Sequence, residues 1–498
     1  MGHGSRLLRL VRTISGRIAP GPNSRVMTGL LLISVVDYGE RTLVGALGPT
    51  LQSVFHINNA QLGLLSSASG VVGALATIPL GILADRVNRT ALLAISLILW
   101  AAAVGVVGAA VSFAMLFGAR MLLGVVSAAT GPTTPSLVGD IVPATRRGRA
   151  LGVINSGQLL GDGVGYVLPV LVTALLSWRF DFWLLALAGA ALSVLFWRLP
   201  EPRRTGAAGP PDRNDGNGNN DSAAGDNRDG QGQGQGRASR VQQLVRDKGV
   251  APSSRAILRE DPGKMSLWAA ARYVLRVRTD VIVLVARSIG DYFLSGITTF
   301  AVIFATAQYG LSQSGADLAI LTLGVGALAG TLLVGRLSDV LLDRGRLNSR
   351  ILLGALGYIL APLPLFFAFR THTLLIALPL FALGAFFLAG AGPPLDAARI
   401  DVLAPRLRGR AESIRQVLRT AAEAGAPVLI GVLSGVLAGG GHAGLQAAFI
   451  VTLPALLVTG LALLFALGAY APDVAAVLAE TDGKRPAMGR PGPTGAKS

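Results

Sequence analysis

The sequence predicts an all-α membrane protein of twelve transmembrane helices arranged as two six-helix pseudo-symmetric bundles. Three observations predict it: apolar blocks of span length, basic residues on alternate loops, and an internal repeat.

Apolar residues make up 51% of the chain and charged residues 14%. The apolar residues fall in blocks of about 20, the length a helix needs to cross hydrocarbon. Spans are expected at 26–52, 61–84, 91–111, 113–139, 150–176, 182–199, 279–307, 316–338, 350–369, 373–397, 411–438 and 446–470, six on either side of a gap.

The formal net charge is +17, so the placement of the basic residues decides between nucleic-acid binding and a membrane role. Arg6, Arg9, Arg12, Arg17 and Arg25 precede the first span without an acid, and clusters follow at Arg86/Arg89, Arg146/Arg147/Arg149, Arg344/Arg346/Arg350 and Arg406/Arg408/Arg410. The intervening loops hold almost none, Arg179 and Arg370 excepted. By the positive-inside rule the basic loops and both termini are cytoplasmic. The expectation is a multi-pass protein of the bacterial inner (plasma) membrane, a monomer in the lipid bilayer with no nucleic-acid partner. The basic N-terminus has no apolar core before a cleavage site, so no signal peptide is expected.

Five segments follow: a basic cytoplasmic N-terminus, 1–25; an N-terminal bundle, 26–199; a cytoplasmic linker, 200–278; a C-terminal bundle, 279–470; and a disordered cytoplasmic tail, 471–498. The linker carries Pro210-Pro211 and an alternating run from Gln231 to Gly236, too polar to bury a core and expected to be disordered. At its end Trp268, Tyr273 and Leu275 interleave with Arg272, Arg276 and Arg278. That pattern fits an interfacial helix or a plain extension of the seventh span.

Asp37-Tyr38 recurs as Asp291-Tyr292 and Gly81…Asp85 as Gly335…Asp339, both offset by 254 residues. Gly131-Pro132 recurs as Gly392-Pro393, and the loop Asp140 to Ala150 as Asp401 to Ala411, both offset by 261 residues. Two registers across four landmarks imply duplicated halves, the parallel repeat that places a pseudo-two-fold axis along the membrane normal.

The loop Gly81-Ile-Leu-Ala-Asp85-Arg86-Val-Asn-Arg89 and its second copy, Gly335 to Asp339 with Arg344 and Arg346, resemble the signature between spans two and three of the major facilitator superfamily. That resemblance implies the major facilitator fold and alternating access. Gly81, Asp85, Arg86, Arg89, Gly335, Asp339, Arg344, Asp140, Arg149, Asp401 and Arg410 are then candidate gate residues. The glycine allows close helix approach, and a carboxylate at a helix end pairs with Arg or a helix N-terminus. A topogenic basic loop is the alternative.

Within that superfamily the first half is similar to the Spinster-type transporters of lysophospholipids and sphingoid phosphates. Asp37-Tyr-Gly-Glu40-Arg41, Leu83-Ala-Asp85-Arg86-Val-Asn88-Arg89 and Arg120-Met-Leu-Leu-Gly124-Val-Val-Ser127-Ala128 carry the likeness. Two positions depart from it: Asp37 replaces the family's asparagine and Ser127 its glutamate. A coupling scheme that needs that glutamate does not transfer unchanged.

Ionisable residues inside spans cost about 3 kcal/mol each on insertion scales and so face the bundle interior, where they usually serve transport. Asp37 lies about 16 Å, and Glu40 and Arg41 about 21–23 Å, from the basic end of span one; Arg120 lies about 18 Å deep in span four. Asp37/Arg41, Arg287/Asp291 and Arg419/Glu423 are i,i+4 partners, and Asp162 with Gln158 takes the repeat-equivalent places of Glu423 with Arg419. These nine charged residues are the candidate proton- and substrate-binding set. In one reading Asp37 or Glu40 exchanges protons while Arg41 and Arg120 alternate between those acids and an anionic head group. In the other they form a fixed network between spans. Gly157, Gly161, Gly163 and Gly165 point to helix packing or a gate flexure.

The expected function is secondary active transport by alternating access: proton-coupled export of an amphipathic or lipid-like anion. A multidrug or metabolite proton antiporter is the alternative, and a non-transporting sensor or scaffold a third. An enzyme is not expected, because no nucleophile with a base and no phosphate loop appears. There is no cysteine, hence no disulfide or thiolate metal site, and His3, His56, His372 and His442 form no cluster. No cofactor or metal is expected, only a proton gradient.

Overall fold

The computed structural model describes residues 23–142, 147–173, 175–202, 240–254, 256, 267–403 and 407–481. In the first half the helices are α1 (Asn23–Ala46), α2 (Gly48–Phe55), α3 (Asn59–Arg86), α4 (Arg89–Gly108), α5 (Phe113–Ser127), α6 (Thr130–Ile141), α7 (Arg147–Leu171) and α8 (Trp178–Trp197). Between the halves lie α9 (Arg240–Asp247) and α10 (Leu267–Val274). The second half holds α11 (Arg278–Tyr309), α12 (Gln313–Asp343), α13 (Ser349–Leu360), α14 (Pro362–Arg370), α15 (Leu374–Gly390), α16 (Gly392–Val402), α17 (Arg408–Ala438), α18 (Gly441–Leu464) and α19 (Ala466–Thr481).

Joined across their short breaks, α1–α2, α5–α6, α13–α14 and α15–α16 each form one span, so twelve span-length units are present in the expected order. The loops fix their ends. Asn58 and Gln61 form a capping box at α3, Asn88 accepts from Ala91 N, and Ser112, Ser177 and Ser312 cap α5, α8 and α12.

Among the described residues ten helices are long and apolar enough to cross a membrane by composition alone. The two units below that threshold are α1–α2 and α7, and these two pack extensively on each other. Their polarity is turned inward. Gly157, Gly161 and Gly165 of α7 form an i,i+4 stripe on α1: a methyl at Gly157 would meet Leu31 O at 2.9 Å, and one at Gly165 would meet Gly39 O at 2.7 Å. Gly163 faces open space.

The duplicated halves are visible in the packing. Gly81 of α3 sits on Pro132 of α6, and its counterpart Gly335 of α12 on Pro393 of α16, the pair of registers found in the sequence. Large apolar side chains remain exposed on the perimeter, Leu75, Leu175 and Phe465 among them, as lipid rather than water requires.

Two expected segment boundaries differ. Residues 471–481 are helical: α19 buries Tyr470, Val474 and Val477 against α9, α11 and α16. The pair Pro472-Asp473 reads as the start of a tail, yet Asp473 is a cap for another helix, its Oδ2 accepting from Thr279 N of α11 at 3.0 Å. The linker is also partly folded. Val241, Leu244 and Val245 of α9 are buried, Ser253 N donates to Pro472 O at 3.0 Å, and Tyr273 OH donates to Ala256 O at 2.9 Å. The Gln-Gly run and the N-terminus 1–22 lie outside the described residues.

The halves meet at the ends opposite the basic loops, here called the far face. α3 packs on α17, α7 on α12, and α1 and α2 on α11. A methyl at Gly45 would meet Thr298 O at 2.7 Å, one at Gly70 would meet the Ala424 side chain at 2.8 Å, and Gly63 lies against the Pro427 carbonyl. Asn59 Nδ2 donates to Ser434 at 3.1 Å, and Thr50 Oγ1 bonds Gln313 at 2.5 Å. Only a few residues below this seam, Arg41 is 40% exposed although mid-helix. The central cavity therefore opens toward the basic face.

Candidate functional site: a divided charge cluster

The four charges of spans one and four separate into two pairs. A step of three residues along a helix turns about 60° short of a full circle, so Asp37 and Glu40 leave α1 in different directions. Glu40 faces α3 and α5, where Arg120 Nη1 binds it; both side chains are at most 3% exposed. Arg120 also donates to Ser69 Oγ at 3.0 Å and toward Leu65 O at 3.5 Å, a closed set that satisfies the buried charge.

Asp37 faces the cavity. Its Oδ2 pairs with Arg41 at 2.9 Å and its Oδ1 accepts from Ser127 Oγ at 2.9 Å, while the Arg41 guanidinium lies 5.3 Å over the Tyr38 ring. The two departures from the Spinster-type pattern thus touch each other. An acid and a neutral partner face one another across the same α1–α5 contact, with the acid now on α1.

Arg419 organises the other side. Its Nε lies 2.7 Å from Glu423 and 3.3 Å from Asp291, and its Nη2 donates to Gln158 Oε1 of α7 at 3.4 Å. Gln158 and Arg419 are repeat-equivalent, so this contact falls on the pseudo-two-fold axis. Arg287 lies 3.8 Å from Asp291 and 3.5 Å from Asp396. Asp162 accepts from Thr42 Oγ1 at 2.8 Å. Among the described residues these contacts bring together six carboxylates and four guanidiniums toward the centre of the bundle.

At the basic face each half carries a latch. Arg89 pairs with Asp140 at 2.6 Å and with Glu201 at 2.8 Å, and Thr90 N donates to Glu201 at 2.9 Å. Burial raises the Glu201 carboxyl, but the bonds from Arg89 and Thr90 outweigh it and hold it below the ordinary glutamate range. In the second half Arg350 pairs with Asp401, Tyr470 OH donates to Asp401 at 2.5 Å, and Asp339 stands 3.9 Å from Arg350. Arg350 thus takes the place expected for Arg344, which is exposed at the end of α12. Arg350 is the repeat-equivalent of Arg89, and that offset could have selected it. Arg86 is exposed; the side chains of Asp85, Arg149 and Arg410 lie outside the described residues.

Sequence reasoning also missed Glu201 and Tyr470, partners supplied after the sixth span of each half, and the buried pair Asp280–Arg399 at 2.8 Å. No group of three or more His, Cys, Asp or Glu suited to a metal occurs among the described residues.

Solved structures with this fold include a bacterial homologue of the human lysosomal transporter Spinster in an inward-facing, unoccupied conformation. Its TM-score is 0.64 at 19% identity, with 91% of this chain and 97% of that one covered. The nucleoside transporter NupG aligns with TM-score 0.60 at 13% identity over 88% and 98% of the two chains.

Curated relatives include a hexuronate transporter of Bacillus subtilis (strain 168), 26% identical over 173 residues, which are 35% of this chain and 41% of that protein. Protein spinster homolog 3 of Homo sapiens is 30% identical over 187 residues, 36% of each chain. The chain spans about 40% of the length of these relatives. The Major Facilitator Superfamily model matches residues 30–427, from the first span through the eleventh. Twelve span-length units, two matched halves and that match together establish that the chain belongs to the Major Facilitator Superfamily, a family of membrane transporters rather than enzymes.

Proposed function

We propose that the protein is a proton-coupled secondary transporter that exports an amphipathic or lipid-like anion from the cytoplasm across the bacterial plasma membrane. The observation that carries this reading is the Asp37–Arg41 pair, set mid-helix and open to the cavity while the neighbouring Glu40–Arg120 pair is sealed. An anionic head group replaces Asp37 on Arg41, and the freed carboxylate, with Ser127 as its remaining partner, takes up a proton. Proton and substrate each break the same guanidinium–carboxylate contact, so binding of one changes the affinity for the other and ties flux to the proton gradient. Likeness to Spinster proteins supports a substrate with an apolar tail.

The test is flux in proteoliposomes under an imposed pH gradient with lysolipids, sugar acids and cationic drugs. Saturable lysolipid flux that is lost in Arg41→Ala supports the reading, and gradient-independent flux overturns it.

The excess of carboxylates over guanidiniums in the core favours a second reading, a multidrug proton antiporter. A cation would then neutralise the surplus, and saturable flux of the drugs alone would select it.

A further inference from the structure

The far-face seam holds two acids that the central site does not use. Asp317, in the second turn of α12, and Asp181, in the first turn of α8, are both 0% exposed. Neither oxygen of Asp317 has a hydrogen-bond partner among the described residues; Asp181 keeps one free oxygen, its other accepting from Thr173. Asp181 is near enough for its charge to act on Asp317. The neighbouring Ala316 packs with Tyr166 and Ala46 of the first half and with Val302 and Ala305 of the second. Asp317 therefore lies inside the joint that closes the far face.

No cation among the described residues compensates it. From α7 Tyr166 lies within electrostatic reach, its hydroxyl committed to Thr298 O at 3.3 Å, with Asp162 one turn further. From α8 the titratable group within electrostatic reach is Asp181; Arg179 is turned to Ala110 O at 2.9 Å and lies 4.5 Å over the Trp178 ring. From α11 the nearby Tyr309 donates to Ala368 O, α15 has no titratable residue, and His56 at the end of α2 is exposed. The other charged neighbours of α12 lie toward its opposite end: Arg350 of α13 stands 3.9 Å from Asp339, Arg240 of α9 donates to Asp343 O at 3.3 Å, and α16 carries Asp396, Arg399 and Asp401. Among the described residues the other inter-half bonds at this seam are neutral: Thr50 to Gln313, Asn59 to Ser434 and Tyr166 to Thr298.

We propose that Asp317, backed by Asp181, is the proton-binding residue of the far gate: it carries a proton while the gate is closed and releases it to water when the gate opens. A carboxyl group stripped of water and of every hydrogen bond is tolerated far better as the acid than as the ion. Closing this seam therefore takes up a proton from solvent onto a carboxylate oxygen, and opening returns it. Alkaline conditions favour the open far gate and acidic conditions the closed one. The response begins above the ordinary carboxylate range, because below it both states already hold the proton. The proposal is independent of substrate and of the Asp37–Arg41 site, since the gate is read with nothing being transported.

The chain has no cysteine, so spin labels enter cleanly at Val54→Cys on α2 and Val436→Cys on α17, both exposed near far-face helix ends. Electron–electron distances are measured on the full chain in nanodiscs from acid to alkaline pH. The expected result is a shift from a short to a long distance as pH rises, lost in Asp317→Asn, which stays short throughout. Asp181→Asn should keep the response but move its midpoint. A protonated-carboxyl infrared band at neutral pH should be present in the parent and missing from Asp317→Asn. The proposal is overturned by a pH-independent parent, by an unaltered response or band in Asp317→Asn, or by a distance that follows sodium at fixed pH.

Discussion

At the scale of single residues the decisive feature is which acid each arginine holds. Removing one partner of a buried pair leaves a lone buried charge and costs about 3–5 kcal/mol. Glu40→Gln should therefore lower the yield and thermal stability of the folded protein, read by fluorescence-detected size exclusion. Asp37→Asn should leave yield intact and abolish pH-gradient-driven flux. Because Ser127 bonds Asp37 directly, the double variant Asp37→Asn/Ser127→Glu returns the acid to the α5 side and should restore driven flux. A double variant no better than Asp37→Asn would show that position, not charge, is what matters. The i,i+4 pairs were legible in the sequence because helical geometry alone makes them. The Glu40–Arg120 pair and Asp317 were not separable from their neighbours, since depth along a span says nothing about the direction a side chain takes around it.

At the scale of elements, glycine sets how closely the halves approach. Gly63 backs onto the Pro427 carbonyl, and a methyl at Gly431 would meet Ala60 Cα at 2.9 Å, both on the α3–α17 contact. Overpacking of this kind costs about 1–3 kcal/mol, and about 1.4 kcal/mol is a tenfold change in an equilibrium. Gly63→Ala and Gly431→Ala should each shift the population toward the far-open state, on the order of tenfold or more, seen as faster labelling of a cysteine at Thr50. Unchanged labelling in both would mean the backbone yields without cost. The α7 glycine stripe was legible from its spacing. The α19 helix was not, because a proline–aspartate pair reads as a break unless the distant Thr279 amide it caps is known.

At the scale of the whole molecule the two latches are equivalent in position and unequal in chemistry. Arg89–Asp140 and Arg350–Asp401 occupy matching registers, but the third arm is a carboxylate, Glu201, in one half and a phenol, Tyr470, in the other. Glu201 is held below the ordinary glutamate range by Arg89 and Thr90 despite its burial, so its contribution is present above that range and is lost as pH falls through its folded value. A carboxylate bond to a charged donor contributes about 1.5–3 kcal/mol. Mild acid, from the ordinary glutamate range downward, should therefore loosen the start of α4 in the first half more than the start of α13 in the second. Hydrogen exchange at Thr90 and Ala91, compared with Ile351 and Leu352, measures that difference. Glu201→Gln should bring the first latch to its acid-weakened state at neutral pH and flatten its pH response. Tyr470→Phe should speed exchange in the second half alone and leave the pH response of the first intact. Equal acid sensitivity at both helix starts would overturn the assignment of the difference to Glu201.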